Sequence, residues 1–273
     1  MSSRLRAMAA RNQAIAETGH YVADDGTEVA IGAALAAAVA GTRCYGPDER
    51  LFAPTGGGDR ATVIEVTGEG SLTAARRLAA DGPVAVLNFA SARNAGGGYL
   101  GGARAQEEDL CRNALLYPCL LRAPEYYEAH RASDDLLYSD RVIWSPSVPV
   151  HRGERGELSA EPFPASFLTS PAPNAGALLR RDPDAGPRIR AALLRRSGRV
   201  LGVAAQQGAR QLVLGAWGCG VFRNDPHDVA SAFRSWLAPG GPYHGVFDRV
   251  VFAVWDRNDP SANRSAFAAT FAA

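Results

Sequence analysis

Two adjacent glutamates, Glu107 and Glu108, occupy a position suited to acid–base chemistry. They follow Gln106 and a run of five glycines in seven residues, Gly96 to Gly102. Glycine has no side chain to bury, so such a run indicates backbone that approaches a ligand closely. A carboxyl group that is desolvated beside a bound anion has a raised pKa and stays protonated near neutrality, as a general acid must. Repulsion between neighbouring acids raises one of their two pKa values further.

A protonated acid beside a phosphorylated sugar favours cleavage of a glycosidic bond. Chain neighbours such as Glu107 and Glu108 cannot lie on opposite sides of a scissile bond, which is the usual arrangement of two catalytic carboxyl groups. We therefore expect one acid to do both acid and base work while the other holds the sugar. The alternative is structural, because acids at the start of a helix complement its macrodipole.

A second glycine-rich stretch, VLGAWGCGVFRNDP at 213–226, also follows an apolar run. Ligands of open α/β sheets bind at the carboxyl ends of the strands, where both stretches are placed. Two such loops can present backbone N–H groups to a pyrophosphate without any basic side chain. Neither loop matches G-x-G-x-x-G, and no acid about 20 residues further on indicates a dinucleotide fold.

Single residues near these loops have a functional and a structural interpretation. Phe222 either packs against a ribose or base, or belongs to the core. Asn88 and Asn94 flank the first loop, where Asn is common in turns; Asn94 is the better candidate for binding sugar hydroxyls. Cys219 has no nearby histidine in the sequence, which favours a small packing residue over a nucleophile.

Alternating apolar strands and amphipathic helices predict how these loops are positioned. The strands are predicted at 61–66, 83–90, 141–150, 165–174, 210–217 and 248–256, with prolines that favour sheet edges or strand exits in the third and fourth. Helices are predicted at 4–18, 31–40, 71–80 (with Ser71 as the cap), from about 106 through EEDLCRNALLYPCLL, at 182–208 and 227–237, and from 262 onwards. Gly56–Gly58 is predicted to be a turn. The pattern indicates one α/β domain with a largely parallel, buried sheet at 51–273, and a helical extension at 1–50 packed on it.

Composition excludes several classes of protein. All 29 basic residues are arginine, so mechanisms that need lysine are excluded, including Schiff-base chemistry and P-loop nucleotide hydrolysis. The net charge of +1 indicates no direct binding of nucleic acid or an anionic membrane. Five scattered histidines and four cysteines without C-x-x-C spacing predict neither a metal site nor a disulfide framework. No apolar run reaches membrane-spanning length, and a reducing cytoplasm is the expected location.

The triple glycine followed seven residues later by QEE resembles the signature of poly(ADP-ribose) glycohydrolases. The flanking LNFASARNAGGG and LVLGAWGCGVFRNDP resemble the bacterial branch of that family, over about residue 50 to the end. The resemblance implies a macrodomain-like mixed sheet between helices and a cleft for ADP-ribose. It also implies hydrolysis of the ribose–ribose O-glycosidic bonds of poly(ADP-ribose), mainly in exo mode, with release of ADP-ribose. No cofactor and no metal are expected, and the chain is expected to be a monomer that acts on poly(ADP-ribose) and ADP-ribosylated proteins.

The same resemblance implies roles for individual residues. Glu108 would be the catalytic acid, and Glu107 would hold ribose hydroxyls beside the scissile bond. Gln106 would support the site, Asn94 would orient the terminal ribose, and Phe222 would pack on it. The full set of implied substrate-binding residues is Phe89, Ala90, Asn94, Gly96, Gly97, Gly98, Gln106, Gly218, Cys219, Gly220, Val221 and Phe222. Residues Gly96 to Gly98 and Gly218 to Val221 would line the diphosphate, and the turn at 66–69 is the expected adenine pocket.

Other functions remain open at the level of sequence. A hydrolase of mono-ADP-ribose or O-acyl-ADP-ribose would use a similar cleft, but the QEE sequence favours the polymer-cleaving branch. A non-catalytic ADP-ribose-binding module would need both glycine loops but no acid pair. A nicotinamide-dependent enzyme is a more distant alternative.

Overall fold

The structure, a computed structural model, describes residues 3–52 and 61–272 of the 273-residue chain. Its helices are α1 (Ser3–Thr18), α2 (Gly32–Gly41), α3 (Ser71–Ala79), α4 (Gln106–Asn113), α5 (Leu116–Leu121), α6 (Pro124–Arg131), α7 (Ala175–Arg181), α8 (Gly186–Gln206), α9 (Pro226–Leu237) and α10 (Ala262–Phe271). Its strands are β1 (His20–Val22), β2 (Glu28–Ala30), β3 (Arg43–Tyr45), β4 (Val63–Thr67), β5 (Val84–Phe89), β6 (Val142–Arg152), β7 (Leu158–Ser170), β8 (Gln211–Leu214) and β9 (Arg249–Ala253). No helix in these ranges is long and apolar enough to cross a membrane.

Seven strands form one mixed sheet in the order β3-β6-β7-β5-β8-β9-β4, and β1 and β2 form a separate hairpin. The pairs β7–β5, β5–β8, β8–β9 and β9–β4 are parallel, and β3–β6 and β6–β7 are antiparallel. The two glycine-rich loops leave from the carboxyl ends of β5 and β8. Because these strands are parallel neighbours, their carboxyl ends lie side by side at the same end of the sheet. This topology brings the two loops together at the carboxyl ends of the strands, where ligands of open α/β sheets bind.

Both faces of the sheet are buried. Alternate residues of β5 point in opposite directions, so Ala85 and Leu87 join one apolar core and Val84 and Val86 join the other. Helices α7 to α10 supply the first core, and α1 to α6 supply the second. Two covered faces explain why the central strands are continuous apolar runs instead of alternating ones.

The sequence patterns identify most of these elements, and four details differ. Gly70 is the cap of α3, and Ser71 is its first residue, whose Oγ accepts from the Gln106 amide at 3.2 Å. The helix predicted from 106 breaks after Asn113 because Ala114 pairs with Val150 of β6. The predicted 165–174 strand runs from Leu158 to Ser170 instead. The hairpin, β3, α6 and α7 were not predicted.

The prolines of β6 and β7 do not place these strands at a sheet edge, contrary to the prediction. Pro146 lies inside a register irregularity between Ser145 and Val148, where a missing N–H donor breaks no regular ladder bond. Pro171 and Pro173 lie beyond the end of β7, so the predicted exit role is correct for them. The predicted Gly56–Gly58 turn lies outside the described residues.

The N-terminal helix α1 is joined to α4 by a buried side chain, Asn12. Its Nδ2 donates to the carbonyl oxygens of Arg112 at 2.7 Å and Cys111 at 3.3 Å, near the C-terminus of α4. Its Oδ1 accepts from Arg152 Nη2 at 2.8 Å and from His151 Nε2 at 3.0 Å. Burial lowers the pKa of His151 to about 3, so its imidazole is neutral. The predicted packing of the extension on the core thus includes a polar contact, while the division at residue 51 stays a prediction. Residues 43–45 of β3 already belong to the main sheet.

We expect Asn12→Ala to destabilise the protein by about 3 kcal/mol, because it leaves the buried Arg152 guanidinium without this acceptor. Asn113→Ala is a matched control, since the half-buried Asn113 amide bonds only to Asp109 in its own helix; it should cost less than about 1 kcal/mol. Urea denaturation of the three proteins measures both values. Equal losses in the two variants would contradict a special role for Asn12.

Candidate active site

Glu107 and Glu108 lie in the first turn of α4 and are both buried, with exposed fractions of 3% and 7%. Glu107 Oε2 accepts from the Ser91 N–H at 2.7 Å, and its Oε1 accepts from Asn88 Nδ2 at 3.3 Å. Glu108 Oε1 accepts from the Gly98 N–H at 2.8 Å. Glu108 Oε2 is buried and has no hydrogen-bond partner among the described residues. Of the two acids, only Glu108 therefore keeps a carboxylate oxygen to which no donor among the described residues is bound.

Burial raises the pKa of Glu107 from 4.5 to about 8. The Ser91 and Asn88 donors oppose this rise, and the negative charge of Glu108 adds to it. Glu107 is thus protonated near neutrality. The sequence predicts a raised pKa in this acid pair, and burial is its largest cause at Glu107.

The first glycine loop packs directly against the two acids. A Cβ atom on Gly97 would lie 2.5 Å from Glu108 Oε1 and 3.0 Å from Glu107 Oε2, and the Gly97 φ of +57° also favours glycine. The Gly97 N–H donates to the Asn94 carbonyl at 3.0 Å, and the Gly96 N–H lowers the pKa of Glu107 slightly. Together with the Gly98 bond, these contacts direct the N–H groups of Gly97 and Gly98 to protein acceptors. The prediction that the same glycines line a diphosphate stays a prediction.

Gln106 attaches the start of α4 to the end of β5. Its Oε1 accepts from the Phe89 N–H at 2.8 Å, and its Nε2 donates to the Leu87 carbonyl at 2.8 Å. The side-chain amide thus bonds to the strand as a neighbouring backbone amide would. This contact fits the support role expected for Gln106, and it places the next two residues at the carboxyl edge of the sheet.

In the second glycine loop, unlike the first, several backbone N–H groups are not bound to protein acceptors among the described residues. Arg223 N–H donates to the Gly220 carbonyl and Asn224 N–H to the Gly218 carbonyl, each at 3.1 Å, which closes the loop. Within the part of the chain that the structure describes, the N–H groups of Gly220, Val221 and Phe222 have no acceptor. Successive unpaired N–H groups form a concave anion site. The geometry therefore favours this loop for a phosphate group.

Other predicted site residues are placed as follows. Asn94 is exposed beside the first loop, and Ala90 is buried where β5 ends. The half-buried Phe222 ring packs against the core and lies near Tyr138. Burial raises the pKa of the Cys219 thiol to about 12, which suits a packing residue and not a nucleophile. Among residues 3–52 and 61–272, no group of three or more His, Cys, Asp or Glu side chains could hold a metal ion.

The structure gives a role to Asn88, which the sequence ranks below Asn94 as a candidate, and adds Ser91, which the sequence did not single out. Asn88 is fully buried and bridges Glu107 and Thr169, whose Oγ1 lies 3.1 Å from Asn88 Nδ2. A polar residue near the end of the apolar run VAVLNFA was the available signal, but it also fitted an ordinary turn. Ser91 acts through its backbone N–H, which side-chain chemistry cannot reveal.

The buried acid pair follows β5, and a loop with unpaired N–H groups follows the neighbouring parallel strand β8. The family model for the microbial-type poly(ADP-ribose) glycohydrolase (PARG) catalytic domain matches residues 9–153. The chain belongs to this family. The match includes the N-terminal helices, so the similarity begins earlier than the expected residue 50.

Solved structures agree with this assignment. The chain is 47% identical to poly(ADP-ribose) glycohydrolase from Thermomonospora curvata, with a TM-score of 0.93 over 99% of this chain and 100% of that one. It is 45% identical to the Deinococcus radiodurans enzyme in complex with ADP-ribose, with a TM-score of 0.79 over 86% of this chain and 96% of that one. A search of curated proteins found no match. The expected macrodomain-like α/β fold is confirmed.

We expect Gly97→Ala to lower turnover of poly(ADP-ribose) at least about 100-fold, because the new methyl group displaces both carboxyl groups. Gly208→Ala is the matched control, since Gly208 has a similar φ of +71° and open space around its Cβ position. Its turnover should stay within about twofold of the wild type. Comparable turnover in the two variants would show that the methyl group does not disturb the acids.

Stability should depend on pH through Glu107. Folding raises this pKa from 4.5 to about 8. The stabilisation that Glu107 contributes to the folded state is therefore fully present below pH 4.5 and is lost as the pH rises to about 8. The glutamine of the Glu107→Gln variant cannot ionise, so the variant does not lose stability through this position as the pH rises. The free energy of unfolding of the wild type should fall relative to the variant by on the order of 1 kcal/mol per pH unit between pH 5 and 8. A difference that stays constant over this range, measured by urea denaturation, would refute the raised pKa.

Proposed function

We propose that this protein hydrolyses the ribose–ribose O-glycosidic bonds of poly(ADP-ribose) and releases ADP-ribose from chain ends. Membership of the microbial-type glycohydrolase family supports the reaction. The single structural observation that carries the proposal is the buried pair Glu107–Glu108, in which one carboxylate oxygen is left unpartnered by the described residues. A binding module without catalysis would have no need to bury two acids, which costs free energy.

Glu108 is the proposed proton donor. The Gly98 N–H holds its Oε1 in place, and Oε2 remains for a substrate atom. In protonated form, Glu108 gives its proton to the leaving ribose oxygen as the bond to the anomeric carbon breaks. The anomeric carbon gains oxocarbenium character, and the diphosphate of the same ADP-ribose unit offsets part of that positive charge.

The reaction closes with water. Ionised Glu108 takes a proton from a water molecule as the water oxygen bonds to the anomeric carbon, which restores the protonated acid. One water is consumed, and the products are ADP-ribose and a polymer shortened by one unit. No metal ion or cofactor takes part in this scheme.

Glu107 is proposed to hold the ribose hydroxyls. Each of its oxygens already accepts one protein hydrogen bond, which fixes its direction, and the protonated carboxyl group can still donate its O–H to a ribose hydroxyl oxygen. We assign Asn94 and Phe222 to the terminal ribose and the loop from Gly218 to Val221 to the diphosphate. The three unpaired N–H groups support the last assignment.

The turn at 66–69 is proposed as the adenine pocket. Its first two residues end β4 and its last two follow the strand, and the carboxyl end of β4 lies on the same side of the sheet as both loops because β4, β9, β8 and β5 are mutually parallel. Glu69 in this turn pairs with Arg77 at 2.8 Å, which orders it. We further propose a monomer in the cytoplasm that binds no nucleic acid; four free cysteines and a net charge of +1 support this.

Glu108→Gln should lower hydrolysis by at least about 1,000-fold while ADP-ribose affinity stays within about threefold, because the amide keeps the shape but has no proton to donate. Release of ADP-ribose from automodified chains and calorimetric titration with ADP-ribose measure the two effects. Asp109→Asn is the matched control, since Asp109 is on the same helix with its side chain exposed. Near-normal turnover in Glu108→Gln would refute the assignment of the acid.

The substrate class is tested with the wild-type protein. Poly(ADP-ribose) and a protein carrying a single ADP-ribose are offered in parallel, and the products are separated by chromatography. We expect free ADP-ribose from the polymer and a single remaining unit on the protein. Faster release from the mono-modified protein would instead indicate the mono-ADP-ribose hydrolase, and short oligomers as first products would contradict cleavage at chain ends.

A further inference from the structure

The connection between α6 and β6, residues 132–141, carries Tyr138 in an unusual backbone conformation. Tyr138 has a φ of 60°, in the left-handed region, which is uncommon for a residue other than glycine and costs free energy for a bulky side chain. Its half-buried ring faces Phe222, with ring centroids 6.0 Å apart and an interplanar angle of 44°. The strained residue thus lies against the aromatic side chain of the second glycine loop.

A buried cation holds Tyr138 in this conformation. Arg196 on α8 is fully buried, and its Nη2 donates to the carbonyl oxygens of Leu137 at 2.7 Å and Tyr138 at 3.0 Å. Its Nε pairs with Asp140 Oδ1 at 2.9 Å, and its Nη1 donates to the Pro171 carbonyl at 2.7 Å. If the loop relaxed, the guanidinium would lose acceptors without access to water, so the strained conformation persists.

The segment that follows β7, residues 171–176, joins this connection to the second glycine loop. Asn174 N–H donates to the Leu136 carbonyl, and Gly176 N–H donates to the Phe222 carbonyl, both at 2.8 Å. The buried Asn224 amide adds a bond to the Pro173 carbonyl at 2.8 Å. The backbone on either side of the two rings is therefore tied to one shared segment.

We propose that Tyr138 is a positioning residue for Phe222 and, through it, for the ribose at the scissile bond; this rests on the proposed function. Ordinary core packing does not explain the contact, because packing alone needs no left-handed backbone. The His130 ring also packs against the Tyr138 ring in a T-shaped arrangement, with centroids 5.8 Å apart at 84°. The Tyr138 ring thus restricts the positions that the Phe222 ring of the second glycine loop can adopt. It does not contact the reacting atoms.

Tyr138→Gly tests this role because it removes the ring and also relieves the positive φ. We expect Tm to stay within about 3 °C of the wild type, while kcat on poly(ADP-ribose) falls about tenfold and KM changes less than about threefold. Tyr138→Phe keeps the ring and should retain kcat within about twofold. Ser147→Gly is the matched control, since exposed Ser147 also has a positive φ, 45°, in the β6 irregularity; its kcat should equal that of the wild type.

A double-mutant cycle with Phe222→Ala separates positioning from general structural damage. If Tyr138 acts through Phe222, adding Tyr138→Gly to Phe222→Ala should lower kcat by less than a further twofold. Effects that multiply, or wild-type kcat in Tyr138→Gly, would overturn the positioning role. Failure of the wild-type protein to release ADP-ribose would overturn the proposed function itself, whereas an active wild type with an unaffected Tyr138→Gly overturns only the role of Tyr138.

Discussion

Burial of two adjacent carboxyl groups at the start of α4 is the constraint to which most of the site responds. A buried carboxylate is costly unless it is neutralised or hydrogen-bonded, and both solutions are used. Burial shifts the pKa of Glu107 to about 8, so this group carries no charge near neutrality. Glu108 accepts a hydrogen bond from the Gly98 N–H. Because the loop must approach the acids closely enough to donate, Gly97 has no room for a side chain.

The same constraint reaches both ends of α4. Gln106 ties the first residue of the helix to β5, and Asn12 of α1 binds carbonyl groups near its C-terminus. A helix of eight residues has little stability of its own, so tertiary contacts at its ends determine where its first turn lies. The N-terminal helix is therefore connected to the acids through α4, which agrees with the family match beginning at residue 9.

Local patterns predicted the elements whose formation depends on neighbours in sequence, such as β5, β8, α9 and the start of α4 at Gln106. They also located the acid pair, because its spacing from the glycines is local. Features with distant causes were missed. The role of Asn88 depends on its hydrogen bonds to Glu107 and Thr169, which are distant in sequence. The end of α4 depends on the pairing of Ala114 with Val150. The position of Pro146 inside β6 depends on a register irregularity that only the paired strands show.

The two glycine-rich loops are similar in sequence and different in physical state. In the first loop, the N–H group of Gly98 is directed to Glu108 and that of Gly97 to the loop itself. In the second loop, three successive N–H groups remain without acceptors among the described residues. A donor already bound to a carboxylate cannot hold a phosphate at no cost, whereas an unpaired donor can. Composition alone therefore cannot distinguish a loop whose N–H groups hold buried acids from a loop whose N–H groups are unpaired; the direction of each N–H group makes that distinction.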